Sequence, residues 1–301
     1  MTNIPLRKRY YPLWWLLMGI SALPFPVLYF ISDILYGIIY YLIGYRRQVV
    51  AQNLLNAFPE KSTAERQAIA KQFYHNLTDI IVETIKLATI PEPELTKRVR
   101  ILNPEIIDAL TANGQLILAM GGHECNWEWG PPGGIPYFKC PIDSVYKPLS
   151  NEFFDAFILR TRSRLGPTLV RMKDTLRYLI QHKKEPRLFC MLSDQTPPRS
   201  EIQYWTTFMN QDAGFFVGAD KIAASFKMPV FFIHAGRVGR GRYTFKLVPV
   251  IPSTEAQQTA FPVTEEFARM LENWIRENPA DYLWSHRRWK HSRPADEVKN
   301  K

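Results

Sequence analysis

From Leu13 to Gly44 the chain is almost uncharged, with Asp33 the one ionisable exception, and it is dense in Trp, Leu, Ile, Phe and Tyr. Such a stretch belongs in lipid or in a deep core. Pro24-Phe25-Pro26 interrupts it and leaves an apolar piece on each side, whereas an unbroken spanning helix needs about 20 apolar residues. The pattern fits either one kinked span or a helix lying in the membrane interface. The region is too long for a secretory signal and no small-residue cleavage site follows, so it reads as a retained anchor over residues 1–45. After it, Gln48 to Leu55 has helical spacing and stops at Phe58-Pro59. Ser62-x-x-Glu65 is a capping-box pattern that opens a second helix. Ile69, Phe73, Leu77, Ile80, Ile81, Thr84 and Ile85 then recur at three and four residues and predict its buried face. His75 lies on this helix with no acidic residue five positions on, and reads as a surface or packing residue.

Beyond residue 100 the period changes. Leu116 to Met120, Leu188 to Leu192 and Pro229 to Ile233 are short apolar runs of the kind that form buried strands, and helical stretches alternate with them. Asp220 to Ala224 reads as a helix start. Gly236 to Arg242 looks like a glycine-rich phosphate loop but lacks the strand-loop-helix order and a Lys-Ser/Thr ending, so it predicts a basic hairpin turn between Phe231–Ile233 and Tyr243–Val248. The expected fold is therefore α/β: a mixed, mostly parallel sheet flanked by helices, behind a hydrophobic N-terminal helical membrane anchor. The expected organisation is residues 46–295 as one domain, helical over 46–100 with an α/β core over 101–290, and a polar tail over 296–301.

Composition narrows the class. The chain has 301 residues, 46% of them hydrophobic, and a formal charge of +10. That is ample for a core, and the charge suits an anionic membrane surface, acidic substrates or nucleic acid. Its arrangement favours a membrane, because Arg7, Lys8 and Arg9 precede the apolar stretch and Arg46 and Arg47 follow it, where lipid phosphates would lie. The tail from Trp284 to Lys290 interleaves aromatic and basic residues, which next to an apolar N-terminus also reads as a membrane interface. Nothing matches a nucleic-acid-binding module. Cys125, Cys140 and Cys190 form no CxxC or Cys/His pattern, so neither zinc nor disulfides are expected.

The chemistry concentrates after the first buried run, which opens into Gly121-Gly122-His123-Glu124-Cys125-Asn126-Trp127-Glu128-Trp129. In open α/β sheets ligands collect beyond the carboxyl ends of strands, and two glycines allow a sharp bend and a close approach. Residues five apart on one helix point about 140° away from each other. For His123 and Glu128 to meet, the histidine must sit on the loop and the glutamate on the helix that follows. A carboxylate there would fix the imidazole tautomer and stabilise the imidazolium formed when the other nitrogen takes a proton from a hydroxyl. Glu124 competes for that role but is badly placed to reach its neighbour's ring. No GxSxG supplies a nucleophile, and Cys125 has no second histidine beside it, so the substrate hydroxyl is expected to attack directly.

Further motifs follow in order: Tyr146-Lys147-Pro148 with Asn151, Arg162-Ser163-Arg164, Asp194-Gln195, and Tyr282 to Trp289. With Arg46-Arg47 to Phe58-Pro59 and His123-x4-Glu128, this set resembles the bacterial lipid A biosynthesis (late) acyltransferases, from about residue 10 to 290. The resemblance implies transfer of an acyl chain from an acyl carrier protein thioester to a hydroxyl of a lipid A precursor. It also implies the bacterial inner membrane, with the catalytic domain facing the cytoplasm, and no cofactor or metal. It assigns His123 as general base and Glu128 as its partner, with Arg162 and Asp194 at further positions associated with activity. Arg162 would bind a phosphate through its planar fork, with Arg164 and Lys147 as further basic contacts. Asp194, just past an apolar run, would anchor an arginine or orient the acceptor. Lys147 stands where the family commonly has arginine, and the Pro131-Pro132-Gly133-Gly134 segment is also atypical, which leaves acyl length and acceptor open. The same chemistry on a lysophospholipid or aminolipid, or a membrane-associated protein that only binds lipid, are the alternatives.

Overall fold

A computed structural model describes residues 7–294. Its centre is a seven-stranded sheet. In chain order the strands are β1 (Val99–Ile101), β2 (Leu116–Gly121), β3 (Ile142–Tyr146), β4 (Thr168–Arg171), β5 (Arg187–Leu192), β6 (Tyr204–Phe208), β7 (Gln211–Phe215), β8 (Val230–Gly239) and β9 (Arg242–Pro249). The sheet order is β1-β9-β8-β2-β5-β3-β4, and β6 and β7 pair separately. Every neighbouring pair in the large sheet is parallel except β8 with β9. The mixed, mostly parallel sheet expected from the alternating runs is therefore present. All six residues of β2 are buried, which explains its uniformly apolar sequence. The basic glycine stretch forms the predicted hairpin, turning at Gly241, whose φ of 67° is the left-handed region that suits glycine.

Among the described residues there are twelve α-helices. They are α1 (Tyr11–Ala22), α2 (Phe25–Tyr36), α3 (Arg47–Ala57), α4 (Thr63–Lys86), α5 (Glu92–Arg98), α6 (Pro104–Ala112), α7 (Gly130–Gly134), α8 (Glu152–Ser163), α9 (Thr175–Gln181), α10 (Gly218–Phe226), α11 (Thr254–Gln257) and α12 (Pro262–Glu277). Pro24 separates α1 from α2, and α2 runs on through a π-helical turn, Gly37–Ile43. Phe25–Ile43 is the one stretch among the described residues that is long and apolar enough to cross a membrane.

The N-terminus of α4 carries the predicted capping box: the Ser62 side chain accepts from Glu65 N, and Glu65 accepts from Ser62 N. Its buried face is wider than apolar spacing predicts. Of the expected positions Phe73 and Ile80 are buried and Ile69, Leu77, Ile81, Thr84 and Ile85 half-buried, while Tyr74, Thr78, Asp79, Val82, Glu83 and Lys86 are buried as well. The reason is α2, which lies against the polar side and satisfies it. Ser32 Oγ donates to Asp79 at 2.7 Å and Tyr29 Oη to Glu83 at 3.0 Å. Lys86 Nζ donates to the carbonyls of Ser21 and Leu23, where α1 ends. His75 stacks on Tyr36, with ring centroids 3.7 Å apart, in the packing role expected of it.

The aromatic and basic tail differs from the membrane-interface expectation. Trp284 and Arg288 are buried. Asn53 of α3 donates to the carbonyls of Trp284 and His286, and Arg46 donates to that of Ser285. Arg288 lies over the ring of Phe215 and donates to Gly214 O at 2.9 Å. The Phe208 and Phe215 aromatics thus form core around this arginine.

Candidate active site

β2 and β5 are parallel neighbours whose last paired residues are Gly121 and Leu192. Two positions beyond each stand His123 and Asp194. The Asp194 carboxylate grips the histidine twice, accepting from His123 N at 2.9 Å and lying 2.7 Å from Nδ1. Asp194 is only 3% exposed and His123 14%. Burial by itself would raise the Asp194 carboxyl, but the His123 charge and hydrogen bonds, with Arg288 behind them, hold it below the usual carboxylate range. An ionised Asp194 requires a proton on Nδ1 and makes Nε2 the acceptor nitrogen of the ring. The Gln195 amide stands 3.1 Å from Nε2, where a hydroxyl would bind.

Glu128 is not the partner of His123. It lies in the turn before α7 rather than on a helix, and its two oxygens receive Arg162 Nε at 2.6 Å and Nη2 at 2.5 Å. Burial pushes the Glu128 carboxyl up, and the Arg162 charge and fork more than reverse this, leaving it lowered. Trp127 stands between the two sites: its Nε1 donates to Glu128 at 3.1 Å, and its ring meets the His123 imidazole edge-on at 5.0 Å. Arg162 therefore presents a neutralised fork, not a free cation awaiting a phosphate. Arg164, expected to contact substrate, instead donates to Leu87 O at 3.0 Å and to Ile90 O, closing the end of α4. Its guanidinium serves the fold. Lys147 is exposed one residue past β3, next to Tyr146.

The loop is braced from below by residues that the sequence did not single out. Asn126 Oδ1 accepts from Glu128 N and Trp129 N, while its Nδ2 donates to Glu83 at 2.6 Å. Glu83 also accepts from Tyr243 Oη at 2.7 Å, and Trp129 Nε1 donates to its carbonyl. The sharp bend falls on Cys125, whose φ of 47° is strained for a residue with a side chain. Gly121 and Gly122 have no positive φ. Gly122 is needed because a Cβ there would come within 2.8 Å of Leu271 on α12. Burial pushes the Cys125 thiol well up, which makes it a poor nucleophile. Glu124 is buried and braces the loop by accepting from Gly122 N and Ala235 N, and burial pushes its carboxyl up against these bonds. Among the described residues no group of three or more His, Cys, Asp or Glu is gathered in a metal-binding arrangement.

An apolar cavity of about 120 Å³ begins at this loop. Gly122, Trp127, Glu128 and Arg162 line it together with Ile142, Val145, Leu169, Leu188, Ile233 and Phe245.

The family model for "Bacterial lipid A biosynthesis acyltransferase" matches residues 6–291. The chain belongs to this family. It is 27% identical over 306 residues to the lipid A biosynthesis lauroyltransferase of Escherichia coli K12, covering 96% of this chain and 97% of that one. It is 22% identical over 302 residues to the lipid A biosynthesis palmitoleoyltransferase of the same organism, covering 97% and 95%. A lipid A biosynthesis acyltransferase of Shigella flexneri matches to the same extent as the latter. The family resemblance read from the ordered motifs is the one found. Where a His123–Glu128 contact was expected, the structure sets the His123 imidazole against Asp194 and Glu128 against Arg162.

Proposed function

We propose that this protein is an O-acyltransferase that moves a fatty acyl group from an acyl thioester, carried by acyl carrier protein, to a hydroxyl of a lipid A precursor. The observation that carries the chemistry is the His123–Asp194 pair on a loop whose Gly122, Glu124, Trp127 and Glu128 line an apolar cavity. His123 Nε2 removes the acceptor's hydroxyl proton, and Asp194 stabilises the imidazolium. The alkoxide oxygen attacks the thioester carbonyl, the C–S bond breaks, and the departing thiolate takes the proton back from Nε2. The products are an ester and a free thiol. Arg162, with two of its N–H groups fixed on Glu128, has the remaining donors to offer the oxygen that gains charge in the transition state. The acyl tail occupies the apolar cavity.

Family membership supports the acceptor class, and the exposed apolar helices support a place at the bacterial inner membrane. The domain would face the cytoplasm, where acyl carrier protein thioesters are found. Purified enzyme, given acyl carrier protein thioester and lipid A precursor, is expected to add one acyl chain, seen by mass spectrometry. Folded His123→Ala is expected to lose transfer; wild-type turnover by that variant would overturn the mechanism. A deletion strain whose lipid A keeps every acyl chain while a phospholipid or aminolipid loses one would overturn the acceptor.

A further inference from the structure

The stretch long enough to span a bilayer has a charged group at its midpoint. Phe25–Ile43 is 19 residues long, which at the helical rise is about 28 Å and close to the thickness of a hydrocarbon core. Asp33 stands one position from its centre. Asp33 is bound to Arg240 Nη2 at 2.6 Å, and the pair is 48% and 37% exposed. Arg240 also binds Asp79 of α4 at 2.7 Å, and it belongs to the turn of the β8–β9 hairpin. If the helix crossed a bilayer, the exposed Asp33–Arg240 pair would be carried to the midplane, and the end of the main sheet with it. Charged groups there are costly, and sheet edges do not enter hydrocarbon.

The opposite side of the same helix is different. Val27, Phe30, Ile34, Ile38 and Leu42 are all exposed, and their steps of three and four residues place them in one stripe. Trp15 and Leu16 of α1 are exposed as well. At the two ends of this hairpin stand exposed cations, Arg7, Lys8 and Arg9 before it and Arg46 and Arg47 after it. An apolar stripe bounded by positive charge and aromatic rings matches the surface of an anionic bilayer.

We infer that α1, α2 and the π-helical turn lie in the plane of one leaflet of an anionic membrane, apolar stripe down, with α4 and the sheet above them in water. The choice of a lipid partner rests on the lipid-modifying reading, but the orientation rests on the Asp33–Arg240–Asp79 cluster. This arrangement keeps every charged partner of α2 on the aqueous side and sets the whole catalytic domain on the bilayer through one face.

The test uses the full chain bound to vesicles of phosphatidylethanolamine and phosphatidylglycerol. Nitroxide labels go one at a time on cysteines replacing Val27, Phe30, Ile34, Ile38 and Leu42, with labelled wild type supplying the background from native cysteines. An in-plane helix gives nearly equal depths for all five, about 5–10 Å into the headgroup and acyl boundary. A profile deepest at Ile34, about 15 Å down, with Val27 and Leu42 near the phosphates, would show a span and overturn the inference. Water-exposed labels on protein that does not float with vesicles would overturn it too. Phe30→Asp combined with Ile34→Asp is expected to reduce flotation at least about tenfold while leaving acyl transfer in detergent intact. Because flotation and depth require no turnover, loss of this inference is distinguishable from failure of the proposed reaction.

Discussion

His123 and Asp194 stand at the same offset, two residues past the paired ends of β2 and β5, and meet with 2.7 Å between Nδ1 and Oδ1. Parallel strands in register bring equivalent positions side by side, so the contact follows from strand pairing and needs no long loop to find it. Both residues are anchored just past buried strands, which limits the geometric freedom of the pair.

Asp194→Asn keeps the shape of the side chain but removes the charge that fixes the Nδ1–H tautomer and favours the imidazolium. Transfer is expected to fall about 10³- to 10⁴-fold, mostly in kcat, with KM for the acceptor little changed. Steady-state kinetics on protein with an unchanged circular dichroism spectrum checks this. A loss under tenfold would show that Asp194 is not the orienter.

Glu128 and Arg162 form a fork-to-fork pair in which the carboxylate is nearly buried and the guanidinium 28% exposed. Removing one partner strands the other, at a cost of up to roughly 3–5 kcal/mol for a stranded Glu128 and less for the more exposed Arg162. Glu128→Gln with Arg162→Met is expected to recover part of the stability that each single change loses. It should not recover transfer, because the donor beside the thioester is gone. Denaturant unfolding and turnover measured on the three variants separate the two effects.

Glu83 predicts a pH dependence of stability. Burial pushes its carboxyl up to about 7, against the bonds from Tyr243 and Asn126 that favour the ionised form. A carboxyl raised in the folded protein favours folding only while protonated. The penalty is absent below the unfolded value near 4.5, grows as pH rises towards 7, and is constant above it. Its size is roughly 3 kcal/mol. Glu83→Gln should flatten this slope and narrow the stability gap between pH 5 and 8, measured by unfolding across that range. Asp194 and Glu128, both lowered, act in the other direction, and their contribution is lost only as pH falls below about 4.

The pattern of apolar runs carried the sheet, the capping box carried the start of α4, and the motif order carried the family. What it did not carry was pairing. His123 and Glu128 are neighbours in sequence, so a five-residue spacing invites them into one dyad, whereas the true partner lies 71 positions on and is reached only through β2–β5 pairing. One signal was available: both His123 and Asp194 follow a buried apolar run at the same offset. Arg164 and Trp284 to Trp289 misled for a related reason. Cations and aromatics look like surface chemistry in a sequence, yet here they find carbonyls, rings and a buried carboxylate inside the fold. The polar face of α4 was unreadable without α2, which supplies its hydrogen bonds.

The cavity gives the last prediction. Leu188 lines it four residues before the end of β5, which places it about 13 Å back along the strand from the site end. Its neighbours across the sheet are Ile117 and Ile142. If an acyl tail extends from the thioester at His123 down this channel, the Leu188 side chain meets its methyl end or the last few methylenes. Enlarging the side chain should then shorten the preferred chain without touching the chemistry, since a hydrophobic pocket discriminates by roughly 1–3 kcal/mol per methylene. Leu188→Phe is expected to shift donor preference towards shorter chains, about tenfold or more in relative kcat/KM. Leu188→Ala should shift it the other way, with about 2–5 kcal/mol of stability lost to the void. Competition between thioesters of several lengths reads both shifts. Equal preference in wild type and both variants would mean that the tail lies elsewhere, whatever the fate of the His123–Asp194 base.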